Sequence, residues 1–459
     1  MALKLWNTLG RAKQQFKPKS GNTVKLYTCG PTVYKSQHIG NYRTFLSEDF
    51  LKRTLLMEGY HVRHIMNITD VGHLVSDADE GEDKIEREAR YKKKSARDIA
   101  RAHEQEFVRG LEALNVCMPS KLVRATEHIK EQIALIQKLE KKGVTYRTHD
   151  GIYFDTSKIK NYGALAPHRS STIRAGTRVA KGGKKHDTDF ALWKFSPTTG
   201  PRRQLEWQSP WGTGFPGWHI ECSAMSMKYL GPTLDIHCGG IEHAEIHHPN
   251  EIAQSETVTG KIFSRFWLHG AHLIVQGKKM AKSSQETTIT LGTLRARGFD
   301  PLDLRYLALG THYRKMLSFS WDALSGARSA RFKILEIYPK LSAQPTTVDK
   351  IFEKQFLGAL SDDLNTPRAL AIFWEGIKKG ASQKFVARSD KVLGLAIKKN
   401  ASARRKESAV PQEILALARE REASRAAKDW PQADKIRKKI RVLGFNIEDT
   451  LRGPAIHKI

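Results

Sequence analysis

Cys29, Cys222, His247 and Glu251 are of residue types that together could hold a metal. Cys29 ends the apolar alternation of "TVKLYTCG" and is followed by a Gly-Pro break, while Cys222 stands in "PGWHIECSAM". His247 and Glu251 are four apart in "HHPNEIAQSE", a segment able to open a helix, so both side chains can share one face. Two sulfurs, a nitrogen and an oxygen form a donor set that zinc accepts. Each residue also has a plainer reading: a single buried cysteine is more often core filling, and a His/Glu pair one turn apart is more often a surface contact. Pro249 suits such a helix only within its first turn. By themselves His247 and Glu251 would also suggest a zinc hydrolase, but four protein ligands leave no open position for an activated water.

Two further stretches are marked by their residue types: "HIGN", His38 to Asn41, at the head of a helical pattern, and "KKMAKSS" (278–284). Two lysines in a hydrophilic loop are usually only solvated, but this loop follows the apolar run "FWLHGAHLIVQG" and so stands at a strand end.

These residues need elements to hold them. Strand-like "TVKLYTCG" (23–30) is followed by helical spacing of Phe45, Phe50, Leu51, Leu55 and Leu56, and then by alternating "HVRHIMNITD" (61–70). Strand, helix, strand in that order is a βαβ unit and implies a parallel sheet. Ligands of such sheets sit beyond the carboxyl ends of the strands, where Cys29 and Thr69-Asp70 fall. A helical stretch follows at 94–143; the less regular 145–205, with its basic run "RAGTRVAKGGKKH", reads as an inserted subdomain with a mobile loop.

The chain has 459 residues, and 77 Lys+Arg against 48 Asp+Glu give a formal net charge of +29. The sequence pI is about 9.9, which favours a polyanion partner, with nucleic acid ahead of membrane. No apolar run approaches the roughly 18 residues of a membrane span, and "MALKLWNTLGRAKQQF" lacks a signal core, so a cytoplasmic protein is expected. The 4 cysteines, Cys29, Cys117, Cys222 and Cys238, are too few and scattered for a disulfide scaffold.

"CGPTVYKSQHIGNYRTF", "NITDVGHLVSDADEGEDK", "DFALWK", "PGWHIECSAM", "DIHCGGIEHAEIHHPNEIAQSE", "KKMAKS" and "LNTPRAL" occur in the order found in cysteinyl-tRNA synthetases, and the resemblance runs from "LKLWNTL" to "GFNIEDTLRGP". It implies a class I synthetase: an α/β, Rossmann-like parallel-sheet catalytic domain with an inserted subdomain, followed by a helical bundle and a small C-terminal module. It implies that Cys29, Cys222, His247 and Glu251 hold one zinc ion per chain, and that Tyr27, Thr69 and Trp218 shape the cysteine pocket. Serine differs from cysteine only by oxygen for sulfur, a difference that a soft metal rewards and a size-based pocket cannot. "HIGN" resembles the HIGH signature and "KMAKS" the KMSKS signature. The resemblance therefore assigns catalysis to His38, Asn41, Lys279 and Lys282, and ATP binding to Gly40, Gly239, Gly240, Glu242 and Lys282. The implied partners are tRNA(Cys), L-cysteine, and ATP with Mg2+, with no membrane and a monomeric chain.

Three departures from the family pattern stand out. The KMSKS-like motif carries Ala281 and runs into "SQE", Glu242 replaces the usual aspartate, and Cys238 is an extra thiol expected to neighbour the metal without binding it. The expected organisation is catalytic domain 1–120, inserted connective subdomain 121–205, catalytic domain 206–265, signature-loop region 266–320, helical bundle 321–397, linker 398–409 and anticodon-binding module 410–459. In the last, Arg437, Lys438, Lys439 and Arg441 would supply the basic face. Two rivals are a ligase that passes cysteine to an amino sugar, and a noncatalytic RNA-binding paralogue. The first should lack the C-terminal module and the second should have lost metal ligands or lysines; this chain keeps them all.

Overall fold

The computed structural model describes residues 2–71, 84–165, 183–196, 203–275, 278–279, 288–407, 411–450 and 453–458. They fall into two compact units, one of residues 1–332 with 341–395, the other of 333–340 with 396–459.

A five-stranded parallel sheet organises the first unit. Its strands are β1 (Thr23–Thr28), β2 (His61–Ile68), β3 (Lys121–Arg124), β4 (Leu234–Gly240) and β5 (Ser264–Gly270), in the order β5-β4-β1-β2-β3. Alternation along each strand divides the side chains between two cores. Val24, Leu26, Ile236, Cys238, Phe266 and Leu268 face one side, with Leu51 and Leu55 of α1 (Ile39–Met57). Tyr27, Ile65, Val123 and Trp267 face the other, with Ile220, Cys222 and Met225 of α2 (Trp218–Leu230) and Ala253 of α3 (His247–Thr259). Cys238 therefore lies on the opposite side of the sheet from Cys222.

α1 is tied to α4 (Pro301–Leu309) by buried charge. Arg305 Nη2 donates to Asp49 Oδ2 at 2.5 Å with both side chains fully buried, and Arg305 also donates to the carbonyls of Leu393 (2.6 Å) and Leu114 (3.0 Å). Asp49 accepts in addition from Cys117 N at 2.6 Å. Breaking one partner of such a pair costs far more than forming it gains, because the survivor is left charged and dry.

The structure redraws parts of the expected organisation. Lys121–Arg124, assigned above to the insert, is the edge strand of the central sheet; its one buried residue, Val123, is too faint an alternation to read. The region 145–205, expected to be irregular, supplies three strands, Thr145–Arg147, Gly151–Phe154 and Phe190–Phe195, of an antiparallel four-stranded sheet completed by Gly214–Pro216. Most of the run expected as a mobile loop lies outside the described residues. The bundle region holds helices Trp321–Ile337, Asp349–Ser361, Thr366–Lys378 and Gln383–Leu393.

The second unit contains helices Gln412–Ala426 and Trp430–Val442 and the hairpin Phe445–Thr450 with Gly453–Lys458, closed around Ile414, Leu417, Ile436, Ile440, Phe445 and Ile447. The expected linker at 398–409 is helical, Ile397–Glu407. Low hydropathy there limits burial, but Ala, Arg, Lys and Glu are strong helix formers. No helix among the described residues is long and apolar enough to cross a membrane.

Candidate functional site

The four candidate ligands arrive from separate elements. Cys29 follows the last residue of β1, Cys222 is in the second turn of α2, and His247 opens α3 with Glu251 one turn on and Pro249 in the first turn. All four are buried, and one potential ligand atom from each lies within 4.8 Å of every other. His247 Nε2 is 3.1 Å from Glu251 Oε1, yet that oxygen, fully buried, has no hydrogen bond. Burial pushes the Glu251 acid well above the usual carboxyl range; burial, then the Cys222 thiol, does the same to Cys29. Two thiols and a carboxyl ionise together in so dry a place only around a cation, and an orphaned oxygen among soft donors fits zinc.

A second set overlaps the first: Cys29, His237, His248 and Glu251. His237 Nε2 lies 3.0 Å from Glu251 Oε2, and His248 Nε2 is 3.4 Å from Cys29 Sγ and 3.9 Å from Glu251 Oε1. Sequence reasoning passed over these two histidines, as it did His219, whose Nδ1 is 2.9 Å from His247 Nδ1. The available signal was parity: His237 stands one place before Cys238 on a strand, so it takes the opposite face, that of Tyr27.

The expected pocket residues surround this cluster. Tyr27 is fully buried, edge-on to His237 with ring centroids 5.1 Å apart; burial and the neighbouring Cys222 thiol hold its phenol well above its ordinary value. Thr69 donates to Glu221 Oε2 at 3.0 Å and accepts from Asn67 Nδ2 at 3.1 Å. Trp218, half-buried at the start of α2, lays its ring 4.4 Å from that of His247.

Behind the sheet, Cys238 shares a small cavity with Thr44, Ser47, Glu48, Leu51 and Tyr313. Neither Glu48 oxygen has a hydrogen bond of ordinary geometry, and burial raises its acid well above the usual range, the Thr28 hydroxyl relieving this in part. A carboxyl whose folded value is raised is harmless below its unfolded value and costs stability as pH rises through the folded one. Glu48→Leu should therefore gain about 1–3 kcal/mol over the parent near pH 8 and much less near pH 4.5. Thermal melts across that range decide it, and a difference independent of pH would refute the assignment.

His38 is the N-cap of α1. Its Nδ1 accepts from Asn41 N at 3.2 Å, and Asn41 Oδ1 accepts from His38 N at 3.2 Å, a reciprocal capping box. Gly40 leaves space for the folded-back ring, since a Cβ there would come within 3.0 Å of His38 Nδ1. Ile39 N donates to Ile289 O at 2.9 Å, and His38 pairs with Thr290. The chain just beyond the lysine motif thus docks on the signature at the start of α1. Lys279 is on the two-residue strand Lys278–Lys279, paired with Leu273–Val275, whereas Lys282 lies outside the described residues. Gly239 and Gly240 end β4; a Cβ on Gly239 would come within 2.4 Å of His243 Nδ1. Glu242 follows on a short 3-10 turn, its carboxylate 3.4 Å from His272 Nδ1. In the second unit Arg437, Lys438, Lys439 and Arg441 are all exposed, on the helix that buries Ile436 and Ile440.

Residues 15–329 match the family model described as tRNA synthetases class I (C) catalytic domain. The chain is 48% identical over 458 residues to cysteine–tRNA ligase 1 of Burkholderia lata, covering 99% of this chain and 96% of that one. It is 39% identical over 481 residues to a cysteine–tRNA ligase of Thermus thermophilus, covering 99% of each. Among solved structures it resembles a Mycobacterium tuberculosis methionyl-tRNA synthetase in complex with methionyl-adenylate, with TM-score 0.56 and 15% identity over 82% of this chain and 90% of the other, a likeness of fold.

Proposed function

The chain belongs to the cysteine–tRNA ligases of the class I synthetases, and from that premise we propose that it selects its amino acid by sulfur, through zinc held by Cys29, Cys222, His247 and Glu251. The observation that carries the proposal is the meeting of these four buried side chains, with one Glu251 oxygen left unbonded. Bound zinc would supply a soft Lewis acid to the substrate sulfur.

The protein's own groups do the rest. Tyr27, Thr69 and Trp218 enclose the amino acid, with Trp218 closing the pocket to larger side chains. The start of α1, with His38, Gly40 and Asn41, receives the ATP phosphates, and Gly239, Gly240 and Glu242 receive the ribose. The cysteine carboxylate attacks the α-phosphorus of MgATP, the bond to the bridging oxygen breaks, and pyrophosphate leaves. Lys279 and Lys282 offset the charge that grows on the phosphate oxygens. The terminal adenosine hydroxyl of tRNA(Cys) then attacks the adenylate carbonyl and AMP departs. No side-chain nucleophile is needed, because positioning and preorganised charge provide the acceleration. A monomer acting in the cytoplasm completes the proposal. The test is pyrophosphate exchange with cysteine and with serine, beside a zinc determination. Exchange with cysteine alone and one zinc per chain are expected; full, cysteine-selective activity without metal would overturn the zinc role.

The C-terminal unit is proposed to read the anticodon end. Helices Gln412–Ala426 and Trp430–Val442 close with the hairpin on a core of their own, so removing 410–459 takes that core away entire. Pyrophosphate exchange should survive, because every ATP, zinc and cysteine group named lies before residue 285. Charging of tRNA should fall sharply, and the salt dependence of tRNA binding should become shallower as phosphate-facing cations are lost. Equal charging and equal salt slopes for the full and shortened chains would remove the assignment.

A further inference from the structure

Residues 84–97, "KIEREARYKKKSAR", carry seven basic side chains and two acidic ones. They fold as helix Lys84–Lys92, a tight turn, and the start of helix Ala96–Ala113. Ile85, Glu86 and Ala89 are buried, and Glu86 accepts from the backbone N–H groups of Gln204 (2.7 Å) and Leu205 (3.2 Å). Arg87 and Tyr91, four apart, take the opposite, exposed face. Tyr91 is 84% exposed, and these two helices expose no other large apolar side chain among the described residues.

The turn is fixed by its own hydrogen bonds. Lys93 N donates to Arg90 O at 3.2 Å and Lys94 N to Ala89 O at 3.0 Å, while the Ser95 hydroxyl accepts from Asp98 N at 3.1 Å and caps the next helix. Lys93 holds φ at +51°, a conformation that glycine takes at less cost, so the chain carries a lysine there against the local preference. Lys92 is paired with Glu88 at 2.8 Å, whereas Arg87, Lys93, Lys94 and Arg97 are exposed and form no ion pair with another described residue.

The base of this hairpin is joined to the start of α1. Ser36 Oγ donates to Glu106 Oε2 of the second helix at 2.8 Å, and Gly110 leaves room for Tyr42 of α1, whose hydroxyl a Cβ would meet at 2.0 Å. Arg87 acts on the same loop: burial raises the Tyr34 phenol above its ordinary value, and the Arg87 charge offsets part of that. From Glu106 back to Ser95 the helix spans about 16 Å. A cationic stripe with one exposed ring therefore begins at the loop before His38 and leads outward.

An exposed aromatic ring among cations suits unpaired nucleotides, because the ring stacks on a base while the cations meet phosphates; a membrane would ask for more than one apolar anchor. We propose that the tip of this hairpin holds the single-stranded 3′ end of the tRNA on its way to the adenylate, with Arg87, Lys93, Lys94 and Arg97 at phosphates and Tyr91 against a base. The proposal rests on the tRNA ligase reading above and assigns a contact of the acceptor end to residues outside the C-terminal unit.

The test measures binding of tRNA(Cys), and of the same transcript trimmed of its unpaired 3′ nucleotides, across a salt series. Tyr91→Ala should weaken binding of the intact transcript by about 5–100-fold, and Tyr91→Phe should match the parent. Lys93→Gly combined with Lys94→Gln, which suits the backbone of the turn, should make the slope of log K against log salt shallower by about 1.4, at about 0.7 for each single-strand phosphate. On the trimmed transcript parent and variants should coincide. Parent affinity and slope in the variants on intact tRNA would overturn the proposal, and so would equal losses on both transcripts, which would place the tip on another part of the RNA. A parent protein with no affinity for tRNA(Cys) would overturn the tRNA reading and this proposal with it, so the two failures are distinct.

Discussion

Cys222→Ala is expected to bind no zinc and, on the proposed role of that metal, to lose most of its discrimination between cysteine and serine. The thiol stands on α2, which stays packed through Ile220 and Met225, so the fold should persist while one of two sulfur donors disappears. A site built around a specific polar or metal contact rejects an analogue lacking it by about 10^4-fold, whereas shape alone separates near-isosteres by about 10^2-fold. The cysteine-to-serine ratio in pyrophosphate exchange should fall from the first of these figures toward the second, mostly through lost cysteine activity. His247→Ala should behave alike, because it removes the nitrogen donor and leaves Cys29, Cys222 and Glu251 one ligand short. A Cys222→Ala protein that retained zinc and its full selectivity would end the argument from sulfur.

Lys282→Ala should slow adenylate formation by about 10^2–10^3-fold, or about 3–4 kcal/mol, while cysteine affinity changes little. Its charge is needed as the α-phosphate crowds and pyrophosphate departs, so the loss should appear in kcat more than in KM for the amino acid. Ile289 and Thr290, just beyond the lysine motif, are bound to Ile39 and His38 at the start of α1, where the ATP phosphates are proposed to sit. Single-turnover adenylate formation beside equilibrium cysteine binding separates the possibilities. Collapsed cysteine affinity with undiminished turnover would place Lys282 in the wrong role.

Much of the site could be read from the sequence because its chemistry is local. A His and a Glu four apart on a helix, a cysteine at a strand end, and a histidine before a helix each announce a geometry through spacing alone. The histidines behind them were not legible in the same way. His237 and His269 lie inside apolar strands and look like core, and only the pairing of β4 with β1 and β5 shows that they share a face with Tyr27 and Trp267. Other misjudgements came from elements whose stability is tertiary. β3 is four residues long and exists because β2 offers it a parallel edge, and the antiparallel sheet around Phe190–Phe195 joins segments distant in sequence. At 398–409 low hydropathy marks a linker in the sequence but does not reveal its helix, Ile397–Glu407, which rests on local propensity.

The tie between Asp49 and Arg305 also bears on how the chain is made. The two residues are 256 positions apart. At roughly 5–20 residues per second of translation, Asp49 waits roughly ten to fifty seconds for Arg305 and has until then only Arg53, one turn along α1, as its counter-charge. β1 waits too, since its neighbour β4 emerges long after β2. Until then the nascent βαβ half has an unpaired strand edge and lacks the second of the two arginines that meet Asp49. Its native closure is deferred until most of the first unit has left the ribosome, and in that interval the emerging half depends on being kept from association with other chains.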